Sequence, residues 1–314
     1  MANQNTIAHR TSLVKMLAAK VGFDFCGIAK AEFLEDQAAP LENWLKAGKH
    51  GKMSYMENYF DKRLDPTLLV PGAKTVITLL YNYYPAKELP KTKNYHIARY
   101  AYGQDYHNVI KPKLRQLLED IRDSIGDIQG RYFVDSAPVL ERPWAQRSGA
   151  GWIGKNSLLL TKGGGSYFFI AELIVDLELV SDGPIADYCG TCTRCIDSCP
   201  TDAITPYQVD ANKCISYYTI ELKENESIPE KVAGKFENWI FGCDICQEVC
   251  PWNRFSKPHD EPKFLPIEDL FGMDRDKWKD LDRETYQSLF KGSAVKRAKF
   301  EGLKRNIRFV SGKE

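Results

Sequence analysis

The sequence predicts an α+β protein: an alternating helix–strand region over residues 1–180, a cysteine-rich segment over 181–260, and a basic helical tail over 261–314. Three observations carry this. Apolar residues recur at helical spacing in two stretches of the first half, near-continuous apolar runs lie between and after them, and eight of the nine cysteines fall between 189 and 250.

Residues 11–20 (TSLVKMLAAK) predict an opening helix with Leu13, Met16 and Leu17 on one face. Pro71-Gly72 turns the chain into 74–81 (KTVITLLY), whose continuous apolar character suits a buried strand. Ile110, Leu114, Leu117, Leu118, Ile121 and Ile125 keep helical spacing over 107–125, and Gly126 is placed to stop that helix. Strands follow at 131–135, 156–161 and 166–179, the last two joined through Lys162-Gly163-Gly164-Gly165 as a hairpin. Residues 181–188 (SDGPIADY) break the pattern, which sets the boundary near 180. Beyond it, periodic stretches are few, as expected of a segment whose core is an inorganic group. Residues 291–308 hold seven Lys or Arg against one Glu, a local surplus of six.

Over the whole chain charge is balanced: 43 basic against 42 acidic residues in 314, with 43% apolar and 27% charged. Overall charge therefore names no partner. No apolar run is long enough to span a bilayer, and MANQNTIAHRTS lacks the features of a secretory signal. A cytoplasmic protein without membrane contact is expected, in which clustered cysteines bind metal more often than they cross-link.

Cys189-x2-Cys192-x2-Cys195-x3-Cys199-Pro200 is the complete bacterial run for a [4Fe–4S] cubane. Cys243-x2-Cys246-x3-Cys250-Pro251 is the same run without its first cysteine, whose place falls at Ile240, and Cys214 is the substitute. Because the last cysteine of each run ligates the other cluster, one set is Cys189, Cys192, Cys195 and Cys250, and the other is Cys199, Cys214, Cys243 and Cys246. Structural zinc also uses Cys-x2-Cys pairs, but three cysteines within seven residues followed by Cys-Pro fit a cubane better. Two clusters imply single-electron transfer. Cys26 stands apart and reads as a small buried hydrophobe.

The densest unusual stretch is VDSAPVLERPWAQRSGAGWIGKNS, residues 134–157. Asp135 ends a predicted strand, where catalytic groups often sit. Gly149, Gly151 and Gly154 would let a bulky ligand approach the backbone, and Lys155, Asn156 and Ser157 offer a cation and hydrogen-bonding groups. The alternative is a tight connection in which Asp135 is a cap or turn residue. Chemistry alone leaves both readings standing. The letters also spell G-x-G-x-x-G, but without a preceding strand that pattern is weak.

Asp135-Ser-Ala-Pro-Val-Leu-Glu-Arg142, followed by Gly149-Ala-Gly-Trp-Ile-Gly-Lys-Asn156, resembles the signature of epoxyqueuosine reductases. Arg63-Leu-Asp-Pro66, Pro71-Gly-Ala-Lys74, Tyr102-Gly-Gln-Asp-Tyr-His107, Gly292-Ser-Ala-Val-Lys-Arg297 and Arg305-Asn306 agree with it, as do both cysteine runs. The resemblance spans nearly the whole chain. It implies a nitroreductase-like cobalamin-binding domain (a mixed sheet with flanking helices), then a two-cluster ferredoxin-like domain and the helical tail. It implies reduction of epoxyqueuosine to queuosine at the tRNA wobble position, the last step of queuosine synthesis. Electrons would pass from an external flavodoxin- or ferredoxin-type donor through the clusters to cobalamin, in a monomer.

Asp135 is then the candidate proton donor, provided an apolar pocket keeps it protonated. The implied cobalamin contacts are Asp135, Gly154, Lys155, Asn156, Ser157, Leu159, Ile170, Ala171, Glu172 and Ser216, along the 149–157 loop and the edge of 166–172. Asp105-Tyr-His107-Asn-Val-Ile110 lacks the glycine of the Asp-x-His-x-x-Gly motif, so base-off cobalamin without a histidine ligand is expected. Lys296, Arg297, Lys299 and Arg305 are the expected tRNA contacts. A corrinoid reductive dehalogenase would share both cofactors but act on small organohalides, and an electron carrier would need no such upstream domain.

Overall fold

Residues 4–91 and 94–312 are described by the structure, a computed structural model. Helix α1 (Gln4–Val21) turns Val14, Leu17 and Ala18 inward. The inward stripe is one residue out of register from the expected face, which leaves Met16 57% exposed. Strand β1 (Phe25–Lys30) follows, then α2 (Glu35–Lys46) and α3 (Phe60–Leu64), before β2 (Thr75–Asn82). After the short β3 (His96–Ile97), α4 (Tyr106–Ile125) buries Val109, Ile110, Leu114, Leu117, Leu118 and Ile121. Asp105 caps α4 by accepting from the His107 N–H at 3.0 Å, and Gly126 ends it at φ 118°. Next come β4 (Gly130–Phe133), α5 (Glu141–Arg147), β5 (Trp152–Ile153), β6 (Leu159–Leu160) and β7 (Phe168–Val175).

The main sheet has the order β1-β2-β7-β4, and each neighbouring pair is antiparallel. The mixed sheet expected from the resemblance is therefore corrected to an antiparallel one. β2 reads as an unbroken apolar run, buried at seven of its eight positions, because helices cover both faces. Ile77, Leu79, Ala171 and Leu173 pack under α1 and α4. On the other face Val76, Leu80 and Ile174 meet Trp144 and Ala145 of α5. The turn at 162–165 is present, with the Thr161 N–H donating to the Gly165 carbonyl at 2.8 Å. The flanking strands do not form the expected hairpin, however. β6 pairs with β5, while the Ser166 N–H donates to Asn253 Oδ1 at 2.7 Å and β7 continues into the main sheet.

The cysteine segment carries α6 (Arg194–Asp197), the small hairpin of β8 (Ile204–Thr205) and β9 (Gln208–Val209), α7 (Ile215–Ile220), β10 (Trp239–Phe241) and α8 (Ile245–Glu248). It has an apolar core of its own around Tyr217, Tyr218, Phe236 and Trp239. β10 pairs in parallel with β3 and so ties this segment to the first half. Helices α9 (Arg275–Asp280), α10 (Arg283–Leu289) and α11 (Lys299–Ser311) complete the chain. Trp278, Phe290, Leu303 and Ile307 share one core with Tyr95, Tyr102, Ile240 and Phe241, so the C-terminal helices pack into the body of the protein. No helix among the described residues is long and apolar enough to cross a membrane.

Candidate active site

Past the end of β4, the chain turns sharply at Asp135, which holds φ +43°. A non-glycine residue in this left-handed region is under strain and needs its surroundings to hold it there. Two groups do so. The Asp135 N–H donates to Glu141 Oε1 at 2.5 Å from the first turn of α5, and the Tyr106 hydroxyl donates to Asp135 Oδ2. Tyr106 is itself fixed, stacked on Phe169 at 4.4 Å and on His107 at 4.2 Å between ring centroids.

Glu172 of β7 pairs across the sheet with Thr78, on the face that α5 covers. It is 0% exposed, and neither carboxylate oxygen has a hydrogen-bond partner in the protein. Burial, then the charges of Glu141 and Asp135, push its pKa well above the usual carboxylate range. Burial and the Asp135 carboxylate likewise push Glu141 up to about 8. Burial and Asp135 hold the Tyr106 hydroxyl far above the ordinary tyrosine range, so it remains a donor. The apolar pocket expected around Asp135 surrounds its neighbours instead. Asp135 is exposed, while Glu141 is half-buried and Glu172 takes the fully buried position.

The residues suit a large hydrogen-bonding ligand beside Asp135. Ser157 holds φ +61° with a buried Oγ that has no partner, as Glu172 has none. β4 covers β7 only from Glu172 to Val175, so along Phe168–Ala171 that edge carries no strand. Leu159 packs with Ile170 beneath α5. Other expected contacts already have partners within the protein. Lys155 Nζ donates to the Gly190 and Cys192 carbonyls at 2.7 and 3.0 Å, and Asn156 Nδ2 donates to the Cys246 carbonyl at 3.2 Å. Both brace β5–β6 against the cysteine loops. Two of the glycines also make room for Leu160 of β6. A Cβ on Gly151 would lie 2.1 Å from the Leu160 carbonyl, and one on Gly154 would lie 2.6 Å from the Leu160 side chain. Ala171 is buried in the sheet, and Ser216 is half-buried in α7.

The eight clustered cysteines are all half-buried. Cys189, Cys192, Cys195 and Cys250 line one cavity of about 90 Å³. Cys250 feels the charges of Cys189 and Cys192, Cys243 those of Cys214 and Cys246, and Cys214 that of Cys199. Burial is the larger cause and pushes these thiols up. A bound cation reverses that penalty by deprotonating them. Cys214 and Cys243 pack against the core that holds Tyr100, and Tyr100 meets Tyr106 at 6.3 Å.

The basic stretch is less free than its composition suggests. Arg297 is bidentate to Glu221 at 3.0 and 2.9 Å, and Lys299 pairs with Glu224 at 3.0 Å. Arg305 donates to the carbonyls of Lys223, Glu226 and Tyr218. Lys296 remains exposed. Arg297 and Glu221 also lie near the Asp135 turn: burial, Glu221 and Asp135 together push the Tyr55 hydroxyl up to about 12. Tyr106, Glu141 and Glu221 escaped the sequence reading. Two of them lie inside the quoted motifs, but a motif does not say which of its members turns towards the aspartate.

Residues 63–136 match the family model for epoxyqueuosine reductase QueG, DUF1730, and residues 188–253 match the 4Fe-4S double cluster binding domain. The epoxyqueuosine reductase of Cyclobacterium marinum is 59% identical over 309 residues, covering 98% of each chain. A crystal structure of epoxyqueuosine reductase with an epoxyqueuosine-modified tRNA-Tyr stem loop superposes at TM-score 0.86 and 29% identity, over 95% of this chain and 80% of that one. The Bacillus subtilis enzyme, solved with its catalytic aspartate loop swung out of the active site, gives 0.85 and 27% over the same shares. A reductive dehalogenase reaches TM-score 0.50 at 16% identity over 97% of this chain and 39% of its own, a likeness of fold alone. By family model, sequence identity and fold, the chain belongs to the epoxyqueuosine reductase family.

Proposed function

We propose that this protein reduces epoxyqueuosine in tRNA to queuosine, with Asp135 supplying a proton to the departing epoxide oxygen. The observation that carries the assignment of Asp135 is its strained turn, held between Tyr106 and Glu141 beside a partnerless buried carboxyl. Removing the epoxide oxygen to leave an alkene takes two electrons and two protons and releases water. Two [4Fe–4S] clusters, held by the cross-paired cysteine sets, relay single electrons, and base-off cobalamin, when bound, supplies the two-electron reductive chemistry. As the C–O bond breaks, charge grows on oxygen and an acid within reach lowers the barrier. Asp135 is exposed towards the ligand side and Tyr106 orients its carboxyl. Glu141, raised to about 8, holds a proton beside Asp135 at neutral pH and is the source from which Asp135 is supplied. Glu172 and Ser157 are buried groups without a protein partner that would hydrogen-bond the cofactor.

The test is anaerobic turnover of an epoxyqueuosine-containing tRNA stem loop by protein loaded with both cofactors. The nucleoside should lose the mass of one oxygen, and only when cobalamin and a reductant are present. Unchanged substrate under those conditions would sink the proposal. Turnover of a bromophenol in its place would favour the dehalogenase reading.

A further inference from the structure

The cavity ringed by Cys189, Cys192, Cys195 and Cys250 opens beside an aromatic ridge. Tyr188 and Trp252 line that cavity with their rings 5.9 Å apart, and Trp252 meets Phe255 at 5.8 Å. Tyr188 and Phe255 are 42% and 38% exposed. Cations stand on the ridge: Lys162 Nζ lies 5.2 Å from the Tyr188 ring centroid, and the Arg254 guanidinium 4.4 Å from that of Phe255. Arg194 lines the same cavity and, with Arg254, a second groove of about 670 Å³ that also reaches Cys250. Among the described residues, none of Lys162, Arg194 and Arg254 has a carboxylate partner. The acids nearby are already engaged: Asp187 accepts from the Tyr207 hydroxyl and the Cys189 N–H, and Asp197 from the Thr193 hydroxyl.

We propose that this cationic aromatic face, formed by Lys162, Tyr188, Arg194, Trp252, Arg254 and Phe255, docks the electron donor, a small acidic protein carrying a one-electron centre. The proposal rests on the reading of the clusters as the electron relay and adds where electrons enter. Entry here gives the relay a direction. The Cys189 set lies under the exposed ridge, while Cys214 and Cys243 of the other set pack inward towards Tyr100 and Tyr106. Each encounter moves one electron: the donor centre is oxidised by one and the outer cluster reduced by one. Unpaired cations around an apolar centre suit a brief redox complex, in which complementary charge speeds encounter and a small contact permits release. A phosphate-binding face would serve tRNA instead, but the thiol cavity directly beneath the ridge favours electron entry.

The test uses cluster-loaded protein carrying Lys162→Glu, Arg194→Glu and Arg254→Glu together. Binding of an FMN-loaded acidic flavodoxin, and separately of an acidic ferredoxin, is titrated across a salt series. The parent should bind at least one of them with affinity that falls as salt rises. The variant should bind about ten-fold more weakly with a flatter salt slope. Its iron content, its tRNA affinity and its dithionite-driven turnover should match the parent. If iron is lost, Lys162→Glu with Arg254→Glu, which leaves the cavity wall intact, is measured in the same way. Equal donor binding in variant and parent, binding of neither donor by the parent, or loss of tRNA affinity in its place overturns the proposal. Failure of the parent to turn over with dithionite would instead count against the functional reading.

Discussion

Asp135 is the residue to which we assign the proton transfer, and its geometry says how it is held in place. Its φ of +43° costs energy that the bonds to Glu141 and from Tyr106 offset. Asp135→Asn keeps shape and most hydrogen bonding but has no acidic proton. Turnover should fall about 10²- to 10⁴-fold with both cofactors retained, and near-parental rates would reduce Asp135 to a binding role. Glu141 makes a prediction about stability. Its carboxyl is raised to about 8 from an ordinary 4.5 by burial and Asp135, against the opposing pull of Arg142, with Glu172 facing it from β7. Between those values the folded protein holds a proton that the unfolded chain releases, so stability falls as pH rises through that window. One such proton is worth at most about 1.4 kcal/mol per pH unit. Thermal melts of Glu141→Gln from pH 5 to 8 should show a shallower decline than the parent, and parallel curves would show that Glu141 does not hold the proton.

At the scale of elements, the joins between the two halves matter more than any one strand. The β5–β6 hairpin reaches the cysteine loops through Lys155, whose ammonium satisfies two carbonyls beside the outer thiols. Lys155→Met keeps the length and removes the donors. That variant should lose iron faster on exposure to air, and equal loss rates would argue that the brace is dispensable. Asn306 of α11 is 0% exposed and donates to the Thr219 and Ile240 carbonyls at 2.8 and 2.9 Å. Asn306→Leu would leave both buried acceptors unpaired, at about 1–3 kcal/mol each. A clear fall in melting temperature is expected, without a change in the cofactor spectra of the folded protein.

For the whole molecule, the decisive quantity is metal content. Two Cys-ligated cubanes require about eight irons and eight sulfides per chain, and stoichiometric zinc without iron would overturn the cluster assignment. Cys214→Ala should damage one cluster. Cys26→Ala should damage neither, since Cys26 packs beside the main core and burial pushes its thiol up to about 12. The pairing of Arg297 and Lys299 with glutamates shifts the expected tRNA footprint towards Lys291, Lys296 and Arg308, which are exposed and have no carboxylate partner among the described residues. Replacing these three with neutral residues should weaken tRNA binding and flatten its salt dependence.

The cysteine spacing, the buried strand at 75–82 and the helix at 106–125 were legible in the chain because each depends on residues close in sequence. A cubane loop, a strand and an amphipathic helix announce themselves through local period and local ligand order. The grouping of residues 135–157 with a function was legible only through family resemblance. What the tertiary structure alone decided is which distant groups share a low-dielectric space. Glu172 reads as one acid in an apolar strand, and only the sheet register and α5 set it beneath Glu141. The basic run at 291–308 reads as free charge until Glu221 and Glu224 neutralise part of it across the fold. The glycines of 149–154 read as room for a ligand, but Leu160 fills that space at two of them. Burial, pairing and strain arise from contacts between segments far apart in sequence, and no local pattern encodes them.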